Sequence, residues 1–197
     1  MKTLRNAGIA TVSGLVLVLI FTLTIIMIVS SKAGNESAMN ETLKTMFSPL
    51  VLIVGGLVSI FLLFSIFSGF INLGKKLDNK ILVVVSWAFF ILLVLNIIYS
   101  TVSISIKQNP LVKSPIDGTF EVVFLLLLST MMIMMGVSLL LFKNKVVFAK
   151  VGGILYLCSG VLFVSIILDF LGVYTYLAAI IVQSIMFFKA SRTLKEK

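Results

Sequence analysis

The chain contains 197 residues, of which 60% are hydrophobic and 12% charged, with 16 Lys and Arg against 7 Asp and Glu. A water-soluble fold of this size could not bury so much apolar surface, which excludes a soluble globular domain, and the scarcity of Pro and Gly excludes a disordered or collagen-like chain. With no His and a single Cys, the sequence also excludes His-bound metals, His-based catalytic triads, internal disulfides and Cys-ligated clusters.

Six apolar runs follow one another along the chain, and each approaches the 20 or so residues that a helix needs to cross the hydrocarbon core of a bilayer. They do not alternate in polarity, as membrane barrel strands would. The last two are divided only by Asp169 and Gly172, but together they are too long for one span, so the chain must turn there. We therefore predict an all-α fold, a polytopic transmembrane helical bundle forming one domain (1–197), with spans at 8–29, 50–73, 81–102, 122–142, 146–168 and 170–188.

The first run could instead be a cleaved signal peptide. Lys2 and Arg5 supply a basic start, and Ser31-Lys32-Ala33 offers small residues at a cleavage position. Its 22 residues exceed the apolar core of a signal peptide, which has about 7–15. A retained helix is therefore the favoured interpretation.

The orientation follows from the distribution of Lys and Arg among the connecting loops. Twelve of the 16 fall on the side that holds the amino terminus, and only Lys32, Lys44, Lys107 and Lys113 fall on the other. Cytoplasmic loops of membrane proteins are rich in Lys and Arg, so we predict a plasma-membrane protein with both termini in the cytoplasm. The basic residues form small clusters at helix ends, a pattern typical of topology signals and of contact with anionic headgroups rather than with nucleic acid.

The loop after the first span contains two glycosylation sequons, Asn35-Glu36-Ser37 and Asn40-Glu41-Thr42. Both lie on the side that the charge distribution predicts to be external, where glycans are attached. Asn35 and Asn40 are therefore candidate glycosylation sites.

Three polar residues lie inside or at the edge of the apolar runs, where polar groups are costly and frequently functional. Asn96 in the third span and Gln183 in the sixth could line a substrate path, but interhelical hydrogen bonding is the favoured role for both. Asp169 could bind a proton or cation. Its position at the start of the sixth span favours a helix-capping role at the outer interface.

We interpret the Met and Gly residues of the spans chiefly as packing residues. Met131 and Met135 share a helix face and could hold Cu(I), although Met is also a common core filler. The pairs Gly55-Gly56 and Gly152-Gly153 could interrupt helices as in transporters, but small residues four apart, as at Gly55/Ser59 and Ser65/Gly69, favour close helix packing. We interpret the larger aromatic residues as interface anchors: Trp87, Tyr99, Tyr156, Tyr174 and Tyr176.

The last 55 residues begin with Lys143-Asn144-Lys145 and combine a basic hairpin, a Gly-Gly-Ile-Leu helix start, a short outer turn and a tail rich in Lys and Arg. This segment resembles small multi-pass archaeal membrane proteins of unknown function. The resemblance implies a membrane-embedded helical fold and no particular activity.

The sequence contains no GxSxG, Walker, HExxH or dinucleotide-binding motif, so we expect neither an enzyme nor a bound cofactor. The favoured function is a non-catalytic accessory or assembly subunit of a larger membrane complex, for example an energy-converting one. Its partners would be the lipid bilayer and other membrane subunits or further copies of itself. Two alternatives remain: a small oligomeric transporter or channel whose path includes Asn96, Gln183 and Asp169, and a glycosylated envelope or surface component.

Overall fold

A computed structural model describes residues 2–31, 38, 41–42, 48–106, 115–141, 146–165 and 169–193. The regular structure of this part of the chain is entirely helical, which confirms the predicted all-α class for these residues. The six long helices are α1 (Lys2–Ser31), α2 (Pro49–Lys76), α3 (Lys80–Ile106), α4 (Pro115–Leu140), α5 (Ala149–Val164) and α6 (Asp169–Thr193).

Five of these helices are long and apolar enough to cross a bilayer, and α5 is the exception. With 16 residues it is about 24 Å long at 1.5 Å per residue, slightly less than the thickness of the hydrocarbon core. It begins late because Phe148 adopts a left-handed backbone (φ 68°), and it ends at Ser165, whose backbone is extended. The turn predicted within the last apolar stretch therefore falls between Val164 and Asp169.

The helices form a closed ring in which each packs on the next along the chain and α6 packs on α1. Gly69 of α2 lies against Ala7 of α1, and Gly8 of α1 faces the ring of Phe188 on α6. The start of α1 is thus beside the ends of α2 and α6. Neighbouring helices run in opposite directions around the ring.

The turn between α2 and α3 joins the two helices through backbone capping and one Asn side chain. The N–H of Asn79 donates to the carbonyl oxygen of Gly74 (2.8 Å), and that of Asp78, which is left-handed (φ 54°), donates to Lys75 (3.4 Å). This arrangement is a Schellman motif, and it satisfies the last carbonyl groups of α2. Asn79 then caps α3 by accepting the N–H of Leu82 (2.9 Å), and its amide donates to the carbonyl of Ser138 on α4 (3.2 Å).

Helices α4 and α5 approach each other through glycines. A methyl group placed on Gly136 would lie 2.6 Å from the carbonyl oxygen of Gly153, and one placed on Gly160 would lie 2.8 Å from that of Ser129. Only the absence of a side chain permits backbones to come this close. The predicted packing role of Gly153 is therefore realised at this interface.

The packed core lies at the end of the ring where α1 begins and α6 ends. Aromatic rings fill it: the ring centres of Phe70 and Phe187 are 4.8 Å apart, and those of Phe67 and Phe89 are 5.3 Å apart. At the opposite end the packing is looser, since no residue of α1 from 12 to 31 is buried.

Gly136→Ala tests the close approach of α4 and α5. Because the added methyl group meets the backbone of α5, we expect a loss of about 1–3 kcal/mol in the free energy of unfolding, the usual range for overpacking. Detergent-solubilised protein unfolded with SDS and followed by circular dichroism would measure it.

Gly55→Ala is the matched control, because no atom lies within 4 Å of the added methyl group and Ala favours a helix over Gly by about 1 kcal/mol. We expect this variant to be at least as stable as the parent. Equal stability of the two variants would contradict the packing described for Gly136.

Candidate functional site

A buried pair of polar side chains links α5 to α6. The hydroxyl of Tyr156 on α5 donates a hydrogen bond to the side-chain carbonyl oxygen of Gln183 on α6. Each residue is only 3% exposed. The Tyr156 ring packs edge-on against Phe70, with ring centres 6.5 Å apart, and against Tyr176, at 6.3 Å. The pair therefore lies in the interior of the ring, between three helices.

A second polar contact lies in the same seam, nearer the other end of the bundle. The hydroxyl oxygens of Ser159 on α5 and Thr175 on α6 are 3.0 Å apart. Each hydroxyl is also close to a carbonyl oxygen of its own helix, Leu155 at 2.8 Å and Gly172 at 2.9 Å. The two contacts together fix the register of α5 against α6. A polar group without a partner would be costly in an apolar interior, and here each is satisfied.

These four side chains supply hydrogen-bond donors and acceptors but no carboxylate, amine or imidazole. The chemistry of the seam is therefore that of neutral hydrogen bonding between helices. Gln183 forms the kind of interhelical bond that the sequence analysis favours for it.

The interpretation of Tyr156 as an interface anchor is wrong, because the ring is buried in the core. A helical spacing in the sequence could have revealed this. Gly152, Tyr156, Ser159 and Phe163 recur at intervals of three or four residues and share one face of α5, and all four are buried. A small, polar and aromatic face of this kind is typical of a packed helix interface rather than of a membrane surface.

Asn96 is not brought together with Gln183. It lies half-buried on α3, which packs on α2 and α4, whereas Gln183 lies on α6, which packs on α5 and α1. Measured from the basic end of the bundle, Asn96 is about 24 Å along α3 and Gln183 about 15 Å along α6, at 1.5 Å per residue. The two amides therefore do not form one polar site.

The other predicted site residues fall at or beyond the edge of what the structure describes. Asp169 is the first residue of α6, one position after the N-cap, and its side chain is outside the described set. The two candidate glycosylation sites, Asn35 and Asn40, also lie outside the described residues.

The Met residues and glycine pairs lie within ordinary packed helices. Met132 and Met135 are fully buried in the core, and Met131 packs against it. Gly55-Gly56 and Gly152-Gly153 lie inside the continuous helices α2 and α5, so neither pair interrupts a helix. Gly69 packs on Ala7, whereas Gly55 has no neighbour within 4 Å for an added methyl group.

Comparisons of the chain with protein-family models, with curated proteins and with solved structures find no match.

A double-mutant cycle on Tyr156→Phe and Gln183→Leu tests the polar seam. Tyr156→Phe leaves the Gln183 amide buried without its partner, and we expect a loss of about 1 kcal/mol in unfolding free energy. Gln183→Leu removes the other partner. The double variant should lose less than the sum of the two single variants, with a coupling of about 0.6–1.7 kcal/mol.

SDS unfolding of the four proteins in the same micelles would supply the free energies. Strictly additive losses would show that the two side chains do not interact and would contradict the described hydrogen bond.

Proposed function

We propose that this chain is a multi-pass plasma-membrane protein with six spans and cytoplasmic termini, and that it acts as a non-catalytic accessory or assembly subunit of a larger membrane complex. The apolar helices of the structure are compatible with the membrane location. The charge at the helix ends supports the orientation, and the exposure of α1 supports the role.

The charge of the bundle supports the orientation. Every Lys and Arg that the structure describes lies within two turns of the helix ends that meet at one end of the ring. Asp78 is the acidic residue described at this end. Positive charge marks the cytoplasmic side of membrane proteins, so this end is assigned to the cytoplasm. The residues of this basic end are Lys2, Arg5, Lys75, Lys76, Lys80, Lys150, Lys189 and Arg192.

The exposure of α1 is the single observation that carries the proposed role. The helix is anchored to α2 and α6 by buried residues between Leu4 and Thr11. Beyond them, six consecutive residues from Val16 to Phe21 are each at least 46% exposed. Consecutive helical residues point in successive directions 100° apart, so these six cover the whole circumference of α1. Most of α1 therefore lacks cover from the described part of its own chain and is available to another membrane subunit.

Small residues on α2 add to this available surface. Gly55 and Ser59 are exposed and lie one turn apart. Small residues at this spacing allow a helix from another subunit to approach closely. The pairing of Gly55 with Ser59, predicted to serve packing, is thus assigned to a contact outside the chain.

The transporter alternative has less support. Its path would need polar groups that converge or helices that break near the middle of the bilayer. Asn96 and Gln183 lie on helices that are not neighbours in the ring, and Gln183 is occupied by its hydrogen bond to Tyr156. The surface-component alternative depends on Asn35 and Asn40 alone.

Photo-cross-linking in intact membranes tests the role. A photoreactive amino acid replaces Leu19 on α1, and the same replacement at Val161 on α5 serves as the matched control, because both side chains are 61% exposed. We expect Leu19 to form an adduct with a different membrane protein and Val161 to form adducts with lipid only. Native mass measurement of the complex in mild detergent should show the same partner.

Two results would contradict the proposed role. Lipid adducts alone at both positions, with a native mass of one chain, would show that α1 faces only the bilayer. Adducts at multiples of the chain's own mass would show an oligomer of this chain instead of a subunit of a mixed complex.

A further inference from the structure

Helix α1 packs on the bundle at its start and is exposed beyond it, and the change between the two is abrupt. Leu4 and Ala7 are fully buried, and Thr11 is 1% exposed. From residue 12 to residue 31 the described part of the chain buries no residue of α1. The boundary between the anchored and the exposed part of the helix therefore lies immediately after Thr11.

Gly14 lies one turn beyond this boundary, on the same face of α1 as Ala7 and Thr11. A methyl group placed on it would meet no described atom within 4 Å, whereas one placed on Gly8 would lie 3.1 Å from the ring of Phe188. A close approach between helices thus explains the glycine at position 8 but not the one at position 14. Since Gly lowers the stability of a helix by about 1 kcal/mol relative to Ala, Gly14 acts on the backbone of α1 itself.

Two side chains beside Gly14 also favour a bend in the helix. Ser13 precedes it, and paired Gly and Ser residues are a common site of sharp helix kinks. The hydroxyl of Thr11 donates a hydrogen bond to the carbonyl oxygen of Ala7 (2.8 Å), and bonds of this kind often bend helices. These features coincide with the point where the packing of α1 ends.

The exposed part of α1 is long enough to convert a small bend into a large displacement. Met27 lies 13 residues beyond Gly14, which is about 20 Å along the helix at 1.5 Å per residue. A bend of about 20° at Gly14, the lower limit of a sharp kink, would move Met27 sideways by about 7 Å. The anchored residues would stay in place, because their contacts with α2 and α6 lie before the bend.

We propose that Ser13 and Gly14 form a hinge at which residues 15–31 of α1 pivot relative to the bundle. The role of the hinge rests on the proposed function, since the pivot allows the exposed length of α1 to adjust its angle to a partner subunit. The motion itself is a property of this chain and requires no partner.

Distance measurements between two spin labels on the full chain, purified in mild detergent, test the hinge. In a Cys158→Ser background, one label is attached at Val161→Cys on α5 and the other at Met27→Cys on α1, where both native side chains are exposed. With Gly14 present, we expect the distances to spread over about 7 Å more than in Gly14→Ala, because Ala stiffens the helix.

Two controls locate the motion. Gly55→Ala changes a glycine on α2 that also has no described atom within 4 Å of an added methyl group, and it should leave the distances as widely spread as before. A label at Ile9→Cys, in the anchored part of α1 and exposed, should give a narrow distribution when paired with Val161→Cys, whether or not Gly14 is replaced.

A narrow distribution for Met27→Cys with Gly14 present would show that α1 is rigid and overturn the hinge. The same spread in Gly14→Ala, an equal narrowing in Gly55→Ala, or a wide spread for Ile9→Cys would place the motion elsewhere and also overturn it. Photo-cross-linking at Leu19 tests the proposed role separately. A hinge without a partner adduct contradicts the role alone, and a partner adduct without a hinge contradicts only this proposal.

Discussion

The cost of placing charge and unpaired polar groups in hydrocarbon is the constraint on which this structure depends. A Lys or Arg at the centre of a spanning helix costs about 2.5–3.5 kcal/mol on insertion scales. Every Lys and Arg described here lies near a helix end, and all of these ends meet at one end of the ring. The buried polar side chains inside the bundle, such as Gln183, are paired. The same constraint thus accounts for the helical fold, the charge asymmetry and the polar seam.

Within a bilayer the hydrophobic effect does not drive helices together, because lipid tails are as apolar as the side chains. Helix association there depends on close van der Waals contact and on hydrogen bonds between helices. Both are present where the helices of this bundle pack closely. Gly136 and Gly153 bring α4 and α5 into backbone contact, and Tyr156 and Gln183 join α5 to α6. Among the described residues, the close contacts of α1 lie in its first quarter, at Ala7 and Gly8. The described part of the chain buries no residue of α1 from 12 to 31, which supports the proposed contact with another subunit.

The helices and their approximate ends could be predicted from the apolar runs. An apolar run of about 20 residues can satisfy all its backbone hydrogen bonds in a bilayer by forming a helix. The turn in the last stretch was predictable for the same reason, since that stretch is too long to cross once. The burial of Tyr156 could not be deduced from its type, because Tyr is also common at membrane interfaces; it required the helical face shared with Gly152 and Ser159. The closure of the ring between α6 and α1 depends on the match of Gly8 with the Phe188 ring, a complementarity in space that a single sequence does not reveal. The late start of α5 depends on the left-handed backbone of Phe148, an uncommon conformation for an aromatic residue.

Cysteine labelling in intact cells measures whether the basic end of the bundle faces the cytoplasm. The chain has one Cys, so Cys158→Ser gives a cysteine-free background in which Lys80→Cys and Glu41→Cys are compared. Both positions are exposed, the first at the basic end and the second in the segment between α1 and α2. We expect a membrane-impermeant maleimide to label Glu41→Cys in intact cells and to label Lys80→Cys only after permeabilisation. The reverse pattern, or labelling of both positions in intact cells, would contradict this orientation.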